Sequence, residues 1–361
     1  MKVNIKTWTP IWTGGVESGK CDRIHETSII GSLRWWMEVL VRGMGGQVYD
    51  PTSENSSDFN AKKYKESEIL DPRQRLRDAG LLCDVSQIFG TTGWKRRFRL
   101  DLVEDNTCSD DTVSPQIELS SYQYEYKDKY GKTKTGTPKW WFPENLKDKP
   151  KSGEFSLNIE SLDPNFNPDV IRGLIQFIAD WSALGARSQM GFGVIEILGD
   201  RISMQPLYEW LIGISGQETY RDLPSLQNIF LAKIQTKDAN FDEEKTFNLK
   251  YDLRQLFRSD KNLRHFIMGT TKGNIIAAKV KISRFYYEKG NKNIRVWGWI
   301  PETAAHVYND NWKREKIVAK IYEHLDNKYE LIDWCEMKSP RDSVTKKQDN
   351  PQDFLHSLLK L

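Results

Sequence analysis

Hydrophobic and polar positions alternate from the first residues of the chain. Val3, Ile5 and Thr7 fall on one side and Lys2, Asn4 and Lys6 on the other, the period of a half-buried strand. The period then changes. Ile29, Ile30, Leu33, Trp36, Met37, Leu40 and Val41 recur at steps of three and four, which predicts a helix over 28–42 with one buried face. Thr27 and Ser28 are the expected N-caps, and Gly43, Gly45 and Gly46 supply the left-handed backbone that ends a helix. Off the buried stripe, Arg34, Glu38 and Arg42 follow one another at i,i+4 spacing.

Further along, strand patterns are expected at 94–103 and 114–126, separated by an acidic, turn-rich stretch at 104–112. The polar stretch 49–68 reads as a surface insertion, and 127–138 as a second, basic loop at the tip of a hairpin. Phe155, Leu157 and Ile159 mark a strand, and Val170, Ile171, Leu174, Ile175, Ile178, Trp181 and Leu184 form an amphipathic helix followed by a strand at 193–198. The second half repeats this order: a strand at 229–235, helical signals over 251–268, strands at 274–284 and 293–300, a helix at 310–325 and a strand at 329–334. Each half therefore reads β-α-β-β-α-β, and the predicted fold class is α+β: two ferredoxin-like modules, of the kind seen in RNA-recognition motifs, in tandem with loop insertions. The expected boundaries are 1–200 for the first module, 201–337 for the second, and 338–361 for a charged linker and short terminal helix.

Composition narrows the function classes. The chain has 361 residues, enough for two cores, with 38% hydrophobic and 29% charged residues. Thirteen Trp, 14 Tyr and 15 Phe require burial or a partner. A net charge of +3 is too small for a free-standing nucleic-acid binder, so any such footprint must be local. Cys21, Cys83, Cys108 and Cys335 are scattered and form no CxxC pair, which argues against a zinc site or disulfide framework, and no metal or other cofactor is expected. Without a signal pattern or a long apolar run, a cytoplasmic protein with no membrane contact is expected.

A second motif, Gly185-Ala-Arg-Ser-Gln-Met-Gly191-Phe-Gly193, joins a helix end to a strand. It is neither a Walker loop nor a dinucleotide fingerprint, because no Gly-Lys-Ser/Thr follows and the order is helix, loop, strand. Two readings stand: a helix C-cap with a tight turn, or an anion nest in which Arg187, Ser188 and Gln189 reach phosphate or ribose beside Gly191 and Gly193.

Thr9-Pro10-Ile11-Trp12-Thr13-Gly14-Gly15, Ser28-Ile29-Ile30-Gly31-Ser32-Leu33-Arg34-Trp35-Trp36, the 185–193 loop, and Ile294-Arg295-Val296-Trp297-Gly298-Trp299-Ile300-Pro301 together resemble the RAMP superfamily. Within it, the pattern is most similar to the subunit-one family of the Cmr complex, the type III-B CRISPR effector. The resemblance implies ferredoxin-like folds with a glycine-rich loop. It also implies a non-catalytic RNA-binding subunit that contacts the 3′ side of the crRNA and the 5′ side of the target RNA in antiviral defence. The implied partners are crRNA, target RNA and other Cmr RAMP subunits, a neighbouring backbone subunit and a small RAMP subunit among them.

The candidate RNA contacts are His25, Arg34, Trp35, Arg42, Lys95, Arg97, Arg99, Arg187, Ser188, Gln189, Gly191 and Gly193. No catalytic residue is expected. The alternative is a metal-independent CRISPR RNA processing endonuclease using His25, although no second proton carrier pairs with it in sequence. His265, His306, His324 and His356 lack metal spacing. Period-two alternation places Lys95, Arg97 and Arg99 on one strand face, either a solvated sheet edge or a phosphate track. Arg34 has a competing partner in Glu38. Trp35 and Trp36 are adjacent on a helix, so one of them is left for a base or a neighbouring subunit, and the same holds for Trp140 and Trp141. Lys279 and Lys281 oppose Val280 and Ile282, and Arg295, Trp297 and Trp299 share a strand face expected to pack against a helix.

Overall fold

Two antiparallel sheets frame the molecule in the computed structural model, which describes residues 2–17, 19–50, 58–113, 116–141, 149–214, 216–271, 273, 275–345 and 350–361. The first half runs β1 (Lys2–Thr7), α1 (Glu26–Gly43), α2 (Ala61–Glu66), α3 (Pro72–Asp78), α4 (Asp84–Phe89) and β2 (Phe98–Ser109). Four short strands follow, β3 (Gln116–Glu118), β4 (Tyr124–Lys127), β5 (Thr133–Gly136) and β6 (Lys139–Trp141), then β7 (Lys151–Ser161), α5 (Asp169–Trp181) and β8 (Ile195–Ile197). The second half comprises α6 (Gln205–Ile212), β9 (Ile229–Thr236), α7 (Glu243–Gln255), α8 (Lys261–Met268), β10 (Val280–Ile282) and β11 (Tyr286–Glu288). It ends with β12 (Asn291–Trp299), α9 (Arg314–Lys328), β13 (Glu330–Cys335) and α10 (Pro351–Leu358).

The first sheet has the order β2-β7-β1-β8 and the second β10-β12-β9-β13, with β11 added to β12 and every neighbour antiparallel. Apart from β11, both sheets thus place their strands in the same order: second, third, first, fourth. In the first, Val3 and Ile5 of β1 face Leu157 and Phe155 of β7. These residues meet Leu33, Met37 and Leu40 of α1 and Leu174, Phe177 and Ile178 of α5 in one core.

The second sheet is buried on both faces because β9 is hydrophobic at both parities. Phe230, Ala232 and Ile234 pack with α7, α8 and α9, while Ile229 and Leu231 join Trp297 in the core of the first half. Each such buried aliphatic side chain contributes roughly 2 kcal/mol. Arg295, also on this face, is 1% exposed. Its guanidinium donates to the Ser182 carbonyl at 2.9 Å and to the Tyr286 hydroxyl at 3.1 Å, so it satisfies an orphan carbonyl at the end of α5. The expectation that Trp297 is core is met: it is 2% exposed, across the joint between the halves.

Several elements differ from the sequence reading. Helix α1 starts at Glu26 with His25 as an N-cap lacking a side-chain bond, not at Thr27 or Ser28. The His25 amide is taken instead by the Thr13 hydroxyl at 3.0 Å, a tertiary contact that fixes the start two residues early. Strand β2 begins only at Phe98 and runs through the acidic stretch to Ser109, because pairing with β7 as far as Lys151 outweighs local turn propensity. The expected strand 114–126 divides between β3 and β4, which pair with β6 and β5 respectively. The basic loop is the β4–β5 hairpin, whose turn the Asp128 carboxylate closes by accepting from the amides of Tyr130 and Lys132. The helical signal 251–268 is two helices, since Asp260 caps α8 through the Leu263 amide at 2.9 Å. Helix α6 and strand β11 had no distinct signal, and of the described residues in 274–284 only 280–282 form a strand, with Ile276 in an isolated bridge to Thr270. Residues 51–57 of the polar insertion, residues 346–349 of the linker and the side chains of Trp140 and Trp141 lie outside what is described.

Candidate nucleic-acid interface

Helix α1 sorts its residues by period. Leu33, Trp36, Met37 and Leu40 enter the core, while Ser28, Ser32 and Trp35 lie on an adjacent face at i, i+4 and i+7. That face borders a cleft of about 310 Å³, closed on its other sides by the 183–188 loop, Lys281 of β10 and Trp297 of β12. The Ser32 hydroxyl fixes loop to helix, donating to the Gly185 carbonyl and accepting from the Gly185 amide, both at 2.9 Å.

The two tryptophans take separate roles. Trp36 is 3% exposed and packs edge-on against Phe177, with ring centroids 5.3 Å apart. Trp35 is half-buried, edge-on to Trp36, and lines the cleft, where the Lys281 ammonium stands 4.9 Å from its ring centroid. Burial pushes the Lys281 ammonium down to about 8.

In the glycine loop, Arg187 adopts left-handed backbone at φ 55° ahead of a 3-10 turn at Ser188–Met190. Its guanidinium lies 4.4 Å over the buried ring of Trp12, and burial lowers its pKa from the ordinary value. Ser188 lines the cleft. Gln189 does not present its carbonyl there; it accepts from the buried ammonium of Lys250 on α7. Gly191 and Gly193, at φ 83° and 90°, spend their amides on the Ser188 and Pro10 carbonyls at 3.0 and 2.9 Å, so neither amide is open to an anion.

The remaining candidates are dispersed. His25 lies just before α1 with Nε2 2.7 Å from the Asp22 carboxylate. Arg34 is a structural tie: Nε donates to Glu38 at 3.2 Å, and the terminal nitrogens donate to the Gly90 carbonyl at 3.0 Å and the Ser86 hydroxyl at 3.2 Å. Arg42 is 2% exposed and reaches the Pro224 carbonyl and Glu38, so it has no surface for RNA. Lys95 and Arg97 precede β2, so the proposed cationic strand face does not form. Arg97 pairs with Asp163 at 3.4 Å, Arg99 with Asp101 at 2.7 Å, and Lys95 is exposed. Of the sequence candidates, the cleft lining gathers Trp35 and Ser188, with Arg187 between Trp12 and the loop.

Sequence reasoning missed Lys281, Ser28 and Ser32 as lining residues. The signal was a lysine between Val280 and Ile282 in a strand, but only tertiary contact brings β10 to α1. A second cavity, of about 420 Å³ beside β1 and α5, differs in kind because its cations are paired: Lys2 with Glu104, Arg172 with Asp169 and Arg201 with Asp180. Among the described residues no three His, Cys, Asp or Glu side chains form a metal-binding group, and no helix is long and apolar enough to cross a membrane.

Lys250 gives a pH signature for the loop's support. Burial, with Arg254 adding to it, pushes its ammonium down to about 7 from an ordinary 10.5. Between those values the unfolded chain binds the extra proton, so native stability from this group rises with pH and is lost as pH falls through about 7. The melting temperature of the wild-type protein relative to a Lys250→Met variant is therefore expected to increase from about pH 7 to pH 9. Thermal melts across that range check it, and a flat or falling difference contradicts it.

The chain belongs to the RAMP superfamily, whose family model matches residues 4–196. The fold is similar to Cmr1 from Pyrococcus furiosus in its apo form, at 12% identity and a TM-score of 0.43, over 90% of this chain and 96% of that one. It is also similar to a chain of the type III-B Cmr-beta complex solved by cryo-EM with cognate target RNA and AMPPNP in the presence of ssDNA. There the identity is 10% and the TM-score 0.44, over 90% of this chain and 99% of that one. No curated protein matches the chain.

Proposed function

We propose that this protein is a non-catalytic RNA-binding subunit of a type III-B CRISPR (Cmr) effector complex, contacting the 3′ side of the crRNA and the 5′ side of the target RNA. The RAMP membership and the first-helix and glycine-loop motifs support this reading, as does the repeated strand order, which favours two tandem ferredoxin-like modules divided near residue 200. The observation that carries it is the cleft between α1 and the glycine loop. It offers an aromatic face on Trp35, hydroxyls on Ser28, Ser32 and Ser188, and a cation, with no carboxylate in its lining.

In this reading sequence is read by guide–target pairing, and the protein supplies stacking and phosphate contacts. Trp35→Ala is expected to weaken RNA binding by the assembled complex about tenfold, across unrelated sequences, as loss of one stacked base does. Filter binding with two RNAs of unrelated sequence checks this, and unchanged affinity for both would remove the cleft from the interface. His25 then orients the chain entering α1 through its bond to Asp22. Incubation of the purified chain with repeat RNA in EDTA separates this role from a nuclease, because a 2′,3′-cyclic phosphate product would establish catalysis.

A further inference from the structure

We propose that Lys281 is a phosphate ligand of the cleft: its ammonium, supplied by the second sheet, binds one phosphodiester of an RNA strand lying along α1. The inference rests on the RNA-binding reading above and names the group that makes the ionic contact.

Lys281 sits on β10 directly opposite Trp297 of β12, and both side chains line the cleft. The groups that face it are uncharged: Ser28, Ser32 and Trp35 on α1, Ser188 on the glycine loop and Trp297 on β12. Arg187, the nearest charged residue of that loop, stacks on Trp12. Lys279, two residues earlier and just before that strand, donates to the Phe266 carbonyl at 3.1 Å.

Of the other enclosed cations, Arg295 binds Ser182, Arg42 binds Pro224 and Glu38, and Lys250 binds Gln189, while Lys233 faces the Trp181 ring. Among the described residues no acceptor or carboxylate engages Lys281, whose only described partner is the face of Trp35. A partly desolvated ammonium with three donors and no acceptor is unfavourable until an anion arrives. A phosphodiester fits, because the Ser28 and Ser188 hydroxyls can donate to the same oxygens, Ser32 being tied to Gly185, and Trp35 offers its ring to the attached base.

Titration provides the signature. An anion draws the proton onto a lysine held near 8, so affinity must fall as pH rises through that range. The test measures binding of a mixed-sequence single-stranded RNA to the full chain, and to the assembled complex, between about pH 7 and pH 9. For the wild type, affinity is expected to fall up to about tenfold over that span. Lys281→Arg should retain the pH 7 affinity and lose most of the decline. Lys281→Met should bind weakly throughout, with the slope of log affinity against log salt reduced by about one. The arginine variant also controls for Lys279, which burial holds near the same value, and for titration of the RNA.

Identical pH profiles for wild type and Lys281→Arg would overturn the proposal, as would a wild-type salt slope in a Lys281→Met variant that melts normally. If Trp35→Ala still weakens binding in that case, the RNA-binding reading survives without Lys281. If neither the full chain nor the assembled complex binds RNA, that reading fails, and this one with it.

Discussion

Arg295→Met lowers the stability of the folded protein by about 2–3 kcal/mol, the cost of leaving buried oxygens without the charged donor that served them. The side chain is 1% exposed and joins β12 to the end of α5, so its loss leaves the Ser182 carbonyl without the donor that reaches it across the two halves. The Tyr286 hydroxyl loses its contact too, and with it part of the stack in which Tyr286 lies 4.8 Å from Trp8, nearly parallel. Methionine fills most of the volume, which isolates the polar loss from a cavity. Arg295→Lys should fall between the two, because an ammonium cannot reproduce the guanidinium fork. Denaturant titration checks the order, and a loss under about 1 kcal/mol for Arg295→Met would contradict it.

Gly193→Ala is expected to be more severe still. At φ 90° an alanine is strained, and its Cβ would fall 2.0 Å from the Leu184 carbonyl oxygen, which is backbone and has nowhere to go. The same residue accepts from the Leu184 amide at 2.8 Å and donates to Pro10 at 2.9 Å, so displacing it disturbs both strands of the loop's base. The expected loss exceeds about 3 kcal/mol and shows first as poor soluble yield. Gly31→Ala is the matched control: nothing lies within 4 Å of the added Cβ, and alanine favours the helix by about 1 kcal/mol. A Gly193→Ala protein that melts with the wild type would refute the packing role.

These two positions show what was legible in the chain. The glycines of 185–193 announced an unusual backbone, but whether that backbone serves a ligand or its neighbours depends on Leu184 beside it and on Pro10 and Arg284, which only the fold brings near. Strong periodicity located α1, α5, β1, β7 and β9, since burial of one face or both leaves a pattern in the sequence. Charge was less informative. Arg34, Arg42 and Arg97 look alike in sequence, yet carbonyls and carboxylates distant along the chain hold each of them. Lys281 was visible only as a polar position in an apolar strand. Its meaning comes from α1, which lies some 250 residues earlier in the chain.

Strand β9 sends Ile229 and Leu231 into one core and Phe230, Ala232 and Ile234 into the other, so no seam separates the halves. A hinge there would expose one of the two cores. The gap between Trp35 on one half and Lys281 on the other is therefore a gauge of fixed width, and a strand that enters must conform to it. Fit, rather than closure, would then decide what the cleft accepts.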